Sequence, residues 1–206
     1  MTDYIAAFTT LFVIIDPIGL TPLFVALTHG ASAQLRRKIA LRACITAAVI
    51  LFCFGIFGEA LLGFVGISMP AFRIAGGVLL FLTALEMLFQ KRQTRRQGHT
   101  DDAAEDHIDD PSVFPIAIPL IAGPGAIATM ILLTDQAEGI GEFAAVMGVM
   151  LSVLLIVFIL FLVSNMLEQI LGRVGVNVVT RILGMLLAAL AIQFILDGLR
   201  SFGLAP

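Results

Sequence analysis

Apolar residues run through this chain in long blocks, at about 4–28, 39–64, 70–90, 112–134, 140–165 and 178–199, with polar residues gathered between them. Each block is near or above the roughly 20 residues that carry an α-helix across a hydrocarbon core. The pattern predicts an all-α integral membrane protein with six transmembrane helices. It also repeats. Glu59-Ala-Leu-Leu-Gly63-Phe-Val-Gly66, followed by Arg73-Ile74-Ala-Gly76, returns as Glu168-Gln-Ile-Leu-Gly172-Arg-Val-Gly175, followed by Arg181-Ile182-Leu-Gly184, with a slip of one residue. Asp16-Pro17-Ile18-Gly19 interrupts the first block of the first half, and Gly123-Pro124-Gly125-Ala126 the first block of the second. Each half holds three spans, and an odd count turns the second copy upside down in the bilayer. The expected organisation is a three-helix repeat over 1–90, a charged linker over 91–110 and an inverted three-helix repeat over 111–206. Discontinuous first and fourth helices at matching places point to a binding site at the membrane midplane.

Composition agrees with the environment. Hydrophobic residues make up 59% of the chain and charged ones 13%, with mean hydropathy +1.04. The first block has only Thr2 and Asp3 ahead of Tyr4, without a basic n-region or a small-residue cleavage site, so it reads as a retained span and not a signal peptide. Net charge is -3, but in a membrane protein the placement of Lys and Arg matters more than their sum. Arg36, Arg37 and Lys38 follow the first span, and Lys91, Arg92, Arg95 and Arg96 follow the third, whereas 64–70 and 135–142 carry no Lys or Arg. The basic connections are therefore expected in the cytoplasm and both termini outside, in a bacterial inner membrane. The linker turns acidic through Asp101, Asp102, Glu105, Asp106, Asp109 and Asp110, which predicts a solvated cytoplasmic tether.

The chemistry concentrates in the two interruptions. Pro removes a helical hydrogen bond, Gly lowers the cost of leaving the helix, and non-helical backbone inside a bilayer must be buried in protein or line a cavity. Asp16-Pro17 is also a good helix start, with Asp as N-cap and Pro in the first turn, and Gly123-Pro124 is a weaker version of it. Two helix N-termini would then point to mid-membrane from opposite sides. Their free N–H groups suit a carboxylate, and the carbonyls ending the preceding half-helices suit an ammonium or a small cation. A small zwitterion satisfies both. The candidate binding residues are Asp16, Pro17, Ile18, Gly19 and Thr21 with Gly123, Pro124, Gly125, Ala126 and Thr129. Asp16 has two equal readings, a helix cap or an ion-coupling carboxylate.

Glu59 with Arg73, and Glu168 with Arg181, form a second symmetric set, either interfacial anchors or gates on the two sides. Glu86 with Lys91 and Asp197 with Arg200 read as interfacial ion pairs, and Gln193 as a bond to a neighbouring helix or part of the pathway. Gly55, Gly58, Gly76, Gly77 and Gly184 read as close-packing positions. Cys44 and Cys53 share one helix about 13.5 Å apart, too far to pair. His99 and His107 fit a solvated linker better than a metal site. No HExxH, GxSxG or spaced Cys/His set occurs, so neither an enzyme nor a cofactor, metal or nucleic-acid partner is expected.

Ile15-Asp16-Pro17-Ile18-Gly19-Leu20-Thr21-Pro22-Leu23-Phe24 and Pro119-Leu120-Ile121-Ala122-Gly123-Pro124-Gly125-Ala126-Ile127 resemble the two hallmark segments of the MarC family of inner-membrane proteins, which includes small neutral amino acid transporters of the SnatA type. The likeness spans essentially the whole chain. It implies a 3+3 inverted repeat and, for some members, glycine or alanine as substrate. Residues 16–22 and 123–129 would be the unwound binding regions. The function expected is secondary transport of small neutral amino acids coupled to H⁺ or Na⁺. The alternative is an exporter or channel for another small solute or metal ion. Homo-oligomerisation stays open.

Overall fold

In the computed structural model, residues 4–89 and 110–203 are described, so the expected linker lies outside them except for Asp110. So do Lys91, His99 and His107, and with them the expected pairing of Glu86 with Lys91. The described residues form helices α1 (Tyr4–Ile15), α2 (Pro17–Leu27), α3 (Ala33–Val65) and α4 (Met69–Leu88), then a wound segment (Ser112–Ile121), then α5 (Pro124–Asp135), α6 (Ile140–Leu162) and α7 (Ser164–Ser201). Five stretches are long and apolar enough to cross a membrane, and the wound segment with α5, bent by 60°, makes a sixth. The all-helical membrane fold is thus observed, and the six spans lie close to the expected places.

Three boundaries differ. The basic cluster is not in a loop. The Ser32 hydroxyl accepts a hydrogen bond from the Leu35 amide at 3.3 Å and starts α3 at Ala33, so Arg36, Arg37 and Lys38 ride on a helix of 33 residues. At 1.5 Å per residue this helix is about 50 Å long, well beyond a hydrocarbon core of about 30 Å. The expected connection at 166–177 is also helical. The turn falls at Val163, and α7 is interrupted only at Gly172, where φ is 58° and ψ is 178°. That region of backbone space is essentially closed to residues with a Cβ. Its repeat mate Gly63 lies in the regular helix α3, so the same motif is straight in one half and broken in the other.

The third difference is the wound segment, which is not an α-helix. Pro115 and Pro119 lack the amides that α-helical bonding needs, and each restricts the residue before it to extended backbone. Phe114 (φ -125°, ψ 128°) and Ile118 (φ -126°, ψ 125°) obey that restriction. The chain recovers partial bonding across wider turns, the Ile116 amide donating to the Pro111 carbonyl at 3.2 Å and the Ala122 amide to the Ala117 carbonyl at 2.8 Å.

Packing places the broken span at the centre. In Tyr4–Leu27, 67% of the most apolar window is buried, against 28% in α4 and 22% in Val174–Ser201. The outer pair, α4 and α7, is antiparallel. A Cβ at Gly198 would stand 3.1 Å from the Pro70 carbonyl oxygen, one at Gly77 2.8 Å from that of Ala191, and one at Gly184 3.3 Å from that of Ala84. Contacts advance by seven residues on each helix, with Pro70, Gly77 and Ala84 on α4 facing Gly198, Ala191 and Gly184 on α7. A heptad of small residues lets two membrane helices approach closely, which is the main source of helix attraction where lipid is as apolar as the side chains. Gly55 and Gly58 do the same for α3: a Cβ at Gly55 would meet Met147, and one at Gly58 would run into Ile131. Gly76 abuts Leu132.

Candidate functional site

Asp16 joins α1 to α2 within a single residue. Its amide donates to the Phe12 carbonyl at 2.9 Å and closes α1, while its carboxylate accepts from the Gly19 amide at 3.0 Å and caps α2. The backbone there is left-handed, φ 56° and ψ 64°, and Asp16 is the one residue other than glycine with positive φ among those described. Asp tolerates that region better than most residues because its short side chain can bond locally, as it does here. Asp16 is 1% exposed. Pro17 and Gly19 are buried and Ile18 is half-buried. The Thr21 hydroxyl donates to the Pro17 carbonyl at 3.0 Å, so it is satisfied by its own helix. Gly19 does not line open space: a Cβ there would land on the Asp16 carboxylate.

The second break is built differently. Gly123 precedes α5 with φ -80° and ψ 169° and gives no side-chain cap. A Cβ on it would stand 2.7 Å from the Pro119 carbonyl oxygen. The first helical bond arrives at Ile127, whose amide donates to the Gly123 carbonyl at 3.0 Å. The amides of Gly125 and Ala126, the two residues after Pro124, therefore have no acceptor within the helix. One turn on, Thr129 is completely buried, and among the described residues its hydroxyl has no hydrogen-bond partner.

The two breaks meet. A Cβ at Gly125 would stand 3.2 Å from Ile14 Cγ2 and 3.3 Å from Leu80 Cδ2, so the start of α5 abuts the end of α1 beside the middle of α4. The half-helices then leave in opposite directions. α2 ends near Arg36, on the face of the basic cluster, and α5 ends at Asp135 against Arg73, on the opposite face. The starts of α2 and α5 thus lie close together and the two helices run away from each other.

In the symmetric charged set, the structure does not pair the acid and base of the first half. Arg73 pairs with Asp135, Nη2 to Oδ2 3.1 Å, and not with Glu59, which is exposed on α3. The two ends of the short 66–68 turn hold Glu59 and Arg73 near one face without bringing them together. Arg181 is exposed on α7. Glu168 lies on the same helix, on the far side of Gly172, and its side chain is outside the described residues. Asp135 was missed in the sequence. Its signal was an acid closing an apolar span at the face where the connections carry no base. The Asp197 to Arg200 pair is present at 4.0 Å, and Gln193 donates to Asp197 at 2.9 Å on its own helix, not to a neighbour.

At the start of the second half, Asp110 bonds the Ser112 amide at 3.1 Å and pairs with Arg42 of α3. The Ser112 side chain lowers the Asp110 carboxyl most, burial opposes it next, and the Ser112 amide and the Arg42 guanidinium lower it further, so that it lies below the usual carboxylate range. No group of three or more His, Cys, Asp or Glu side chains suited to a metal ion occurs among the described residues.

The family described as MarC family integral membrane protein matches residues 1–202. A UPF0056 membrane protein of Archaeoglobus fulgidus is 42% identical, covering 97% of this chain and 93% of its own length. One of Methanocaldococcus jannaschii is 36% identical over 96% of both chains, and YvbG of Bacillus subtilis is 38% identical over 94% of this chain and 92% of its own. No solved structure matches.

Proposed function

The chain belongs to the MarC family of integral membrane proteins, and from that premise we propose that it is a secondary transporter of small neutral amino acids of the glycine and alanine type. It works by alternating access around the mid-span point between the breaks, with H⁺ or Na⁺ as coupling ion. The observation that carries this proposal is the N-terminus of α5 without a side-chain cap and, one turn behind it, the buried Thr129 hydroxyl that has no partner among the described residues. The amides of Gly125 and Ala126 and the positive end of the helix suit a carboxylate. The Asp16 carboxylate across the site suits an ammonium group or the coupling ion. Glycine and alanine carry both charges with little bulk, and bulk is what Ile14, Leu80 and the small residues of α5 exclude.

The scaffold proposed is the 3+3 inverted repeat. Matched breaks, matched Arg73 and Arg181 positions and antiparallel third and sixth spans all support it. The location proposed is a bacterial inner membrane, with the basic face in the cytoplasm and both termini outside.

Counterflow in proteoliposomes tests the function. Vesicles loaded with unlabelled glycine or alanine should accumulate the labelled amino acid, and an inward H⁺ or Na⁺ gradient should drive net uptake. Derivatives blocked at the carboxylate or the amine should fail to compete. A folded, reconstituted protein that exchanges neither amino acid, or one that exchanges blocked and free forms alike, would sink the proposal.

A further inference from the structure

The far ends of the two half-helices are fastened by different chemistry. α5 ends at Asp135, held by Arg73 at the fifth position of α4, with the two side chains only 21% and 16% exposed. Each charge stands near the helix end that disfavours it, an acid at a C-terminus and a base near an N-terminus. Neither placement benefits its own helix, so the mutual attraction is what each position offers. On the opposite face, α2 carries Phe24, whose ring stacks on Phe161 of α6 with centroids 4.2 Å apart and planes 5° from parallel. Arg36 of α3 lies over the Phe24 ring at 5.5 Å and donates to the Ser164 hydroxyl at 2.9 Å. Phe24, Phe161 and Ser164 are each 2% exposed or less.

We propose that these two clusters are the gates of the path: an ionic latch, Arg73 with Asp135, that closes α5 against α4, and a stacked latch, Arg36, Phe24, Phe161 and Ser164, that closes α2 against α6. The proposal rests on the alternating-access reading above and deepens it. Both sets of contacts are made in this structure, and on this reading opening to either face requires releasing one of them. The halves exchange parts in doing so. The ionic latch joins a helix of the first half to one of the second, and the stacked latch does the same, so neither half can move without breaking a cross-half contact. The chemistry makes the two separable, because salt weakens an ion pair and leaves an aromatic stack nearly untouched.

The test reads access to the site and needs no substrate. Thr129→Cys, in a chain with Cys44 and Cys53 replaced by Ala, is labelled in oriented vesicles with a membrane-impermeant thiol reagent applied from one face at a time. Asp135→Asn should raise labelling from the Arg73 face by roughly three- to tenfold, the population change that goes with loss of one such pair. The charge exchange Arg73→Asp with Asp135→Arg should bring it back toward the parent rate. High salt should act as Asp135→Asn does, only more weakly. Phe24→Leu and Arg36→Gln should raise labelling from the basic face alone. Labelling unchanged by Asp135→Asn, raised equally from both faces, or not recovered by the exchange would overturn the assignment. Face-specific labelling in a protein that moves neither glycine nor alanine would uphold the latches and remove the substrate proposal.

Discussion

At Asp16 the chain ends one helix and begins the next in a single residue, and the polar groups around it are answered from within: the carboxylate by the Gly19 amide, the Thr21 hydroxyl by the Pro17 carbonyl. At Gly123 no side chain caps the helix, and the Thr129 hydroxyl finds no partner among the described residues. The backbone before the breaks differs as well. α1 is regular up to Ile15, whereas the segment before Gly123 is wound around Pro115 and Pro119. Asp16 and Pro17 are buried, while Gly123 is half-buried and Pro124 exposed. Two interruptions at matching places have thus taken different tasks. The first closes on itself within the most buried span, and the second leaves the opening amides of α5 without a side-chain cap.

The largest expected effect comes from adding one methyl group at each break. Gly19→Ala puts a Cβ on the Asp16 carboxylate and pushes it off the Gly19 amide. Losing the cap costs about 1–2 kcal/mol, and moving a buried carboxylate away from its donor about as much again, so roughly 3 kcal/mol of stability should go. Gly125→Ala meets only Ile14 and Leu80 side-chain atoms at 3.2 and 3.3 Å, which can yield by a few tenths of an ångström. It should cost less than about 1 kcal/mol and act on glycine affinity instead. Thermal unfolding in detergent compares the two. Equal losses would show that both breaks are structural in the same sense.

Substitutions at Asp16 itself should separate backbone, cap and charge. Asp16→Ala loses the cap and must hold a left-handed backbone without local bonding, at a cost of about 2–3 kcal/mol. Asp16→Asn keeps both properties and should stay within about 0.5 kcal/mol of the parent by the same melt. With that fold intact, ion-driven accumulation reports on charge alone. Counterflow kept and accumulation lost would make Asp16 the coupling group, and both kept would confine it to capping.

The paired threonines should respond with opposite sign. Thr21→Val removes a satisfied buried hydrogen bond and should destabilise by about 1 kcal/mol. Thr129→Val removes a buried hydroxyl that lacks a partner and replaces it with an apolar group of the same shape, so stability should rise by about 1 kcal/mol. Affinity for glycine should fall roughly tenfold for Thr129→Val, the effect of one lost hydrogen bond, and stay unchanged for Thr21→Val. Two destabilised proteins would mean that Thr129 is held by the scaffold and is not available to a ligand.

Much of this contrast could be read before the structure, and the part that could not has a physical reason. Long apolar blocks report a membrane span because bilayer thickness sets helix length, so the six spans were legible, and Asp16-Pro17 showed its helix start through the residue types alone. Gly172 was legible only as a repeat of Gly63, and the repeat gave no sign of its broken geometry. The Glu59 and Arg73 pairing failed because sequence adjacency across a short turn does not fix where a long side chain points. Asp135 lies 62 residues from Arg73 along the chain, and only the packing of α5 on α4 brings them together. Pro115 and Pro119 were in plain view, but Pro22 sits inside the regular helix α2, so prolines alone did not tell which span would open wound.

The smallest expected effect tests what holds the wound segment in place. Lacking α-helical bonds, it is pinned at its start by Asp110, bonded to Ser112 and paired with Arg42, whereas α1 has regular helical bonding of its own. The Asp110 carboxyl titrates below its ordinary value, with the Ser112 hydroxyl as the first cause. The folded state therefore binds that proton less tightly than the unfolded chain. The stabilisation is complete above the ordinary carboxylate value of 3.8 and is lost as pH falls below it through the lowered value. Since Asp110 and Arg42 are 40% and 65% exposed, solvent screens the pair, and Asp110→Asn should lower Tm by no more than about 2 °C at pH 7. The gap between parent and variant should hold steady from about pH 5 to 8 and close below about pH 4. Thr129→Cys labelling should rise slightly in the variant, while a cysteine placed at Thr21 should be unaffected, because only the second break depends on this clamp. A variant that loosens both breaks alike would show that Asp110 supports the whole bundle and not the wound segment.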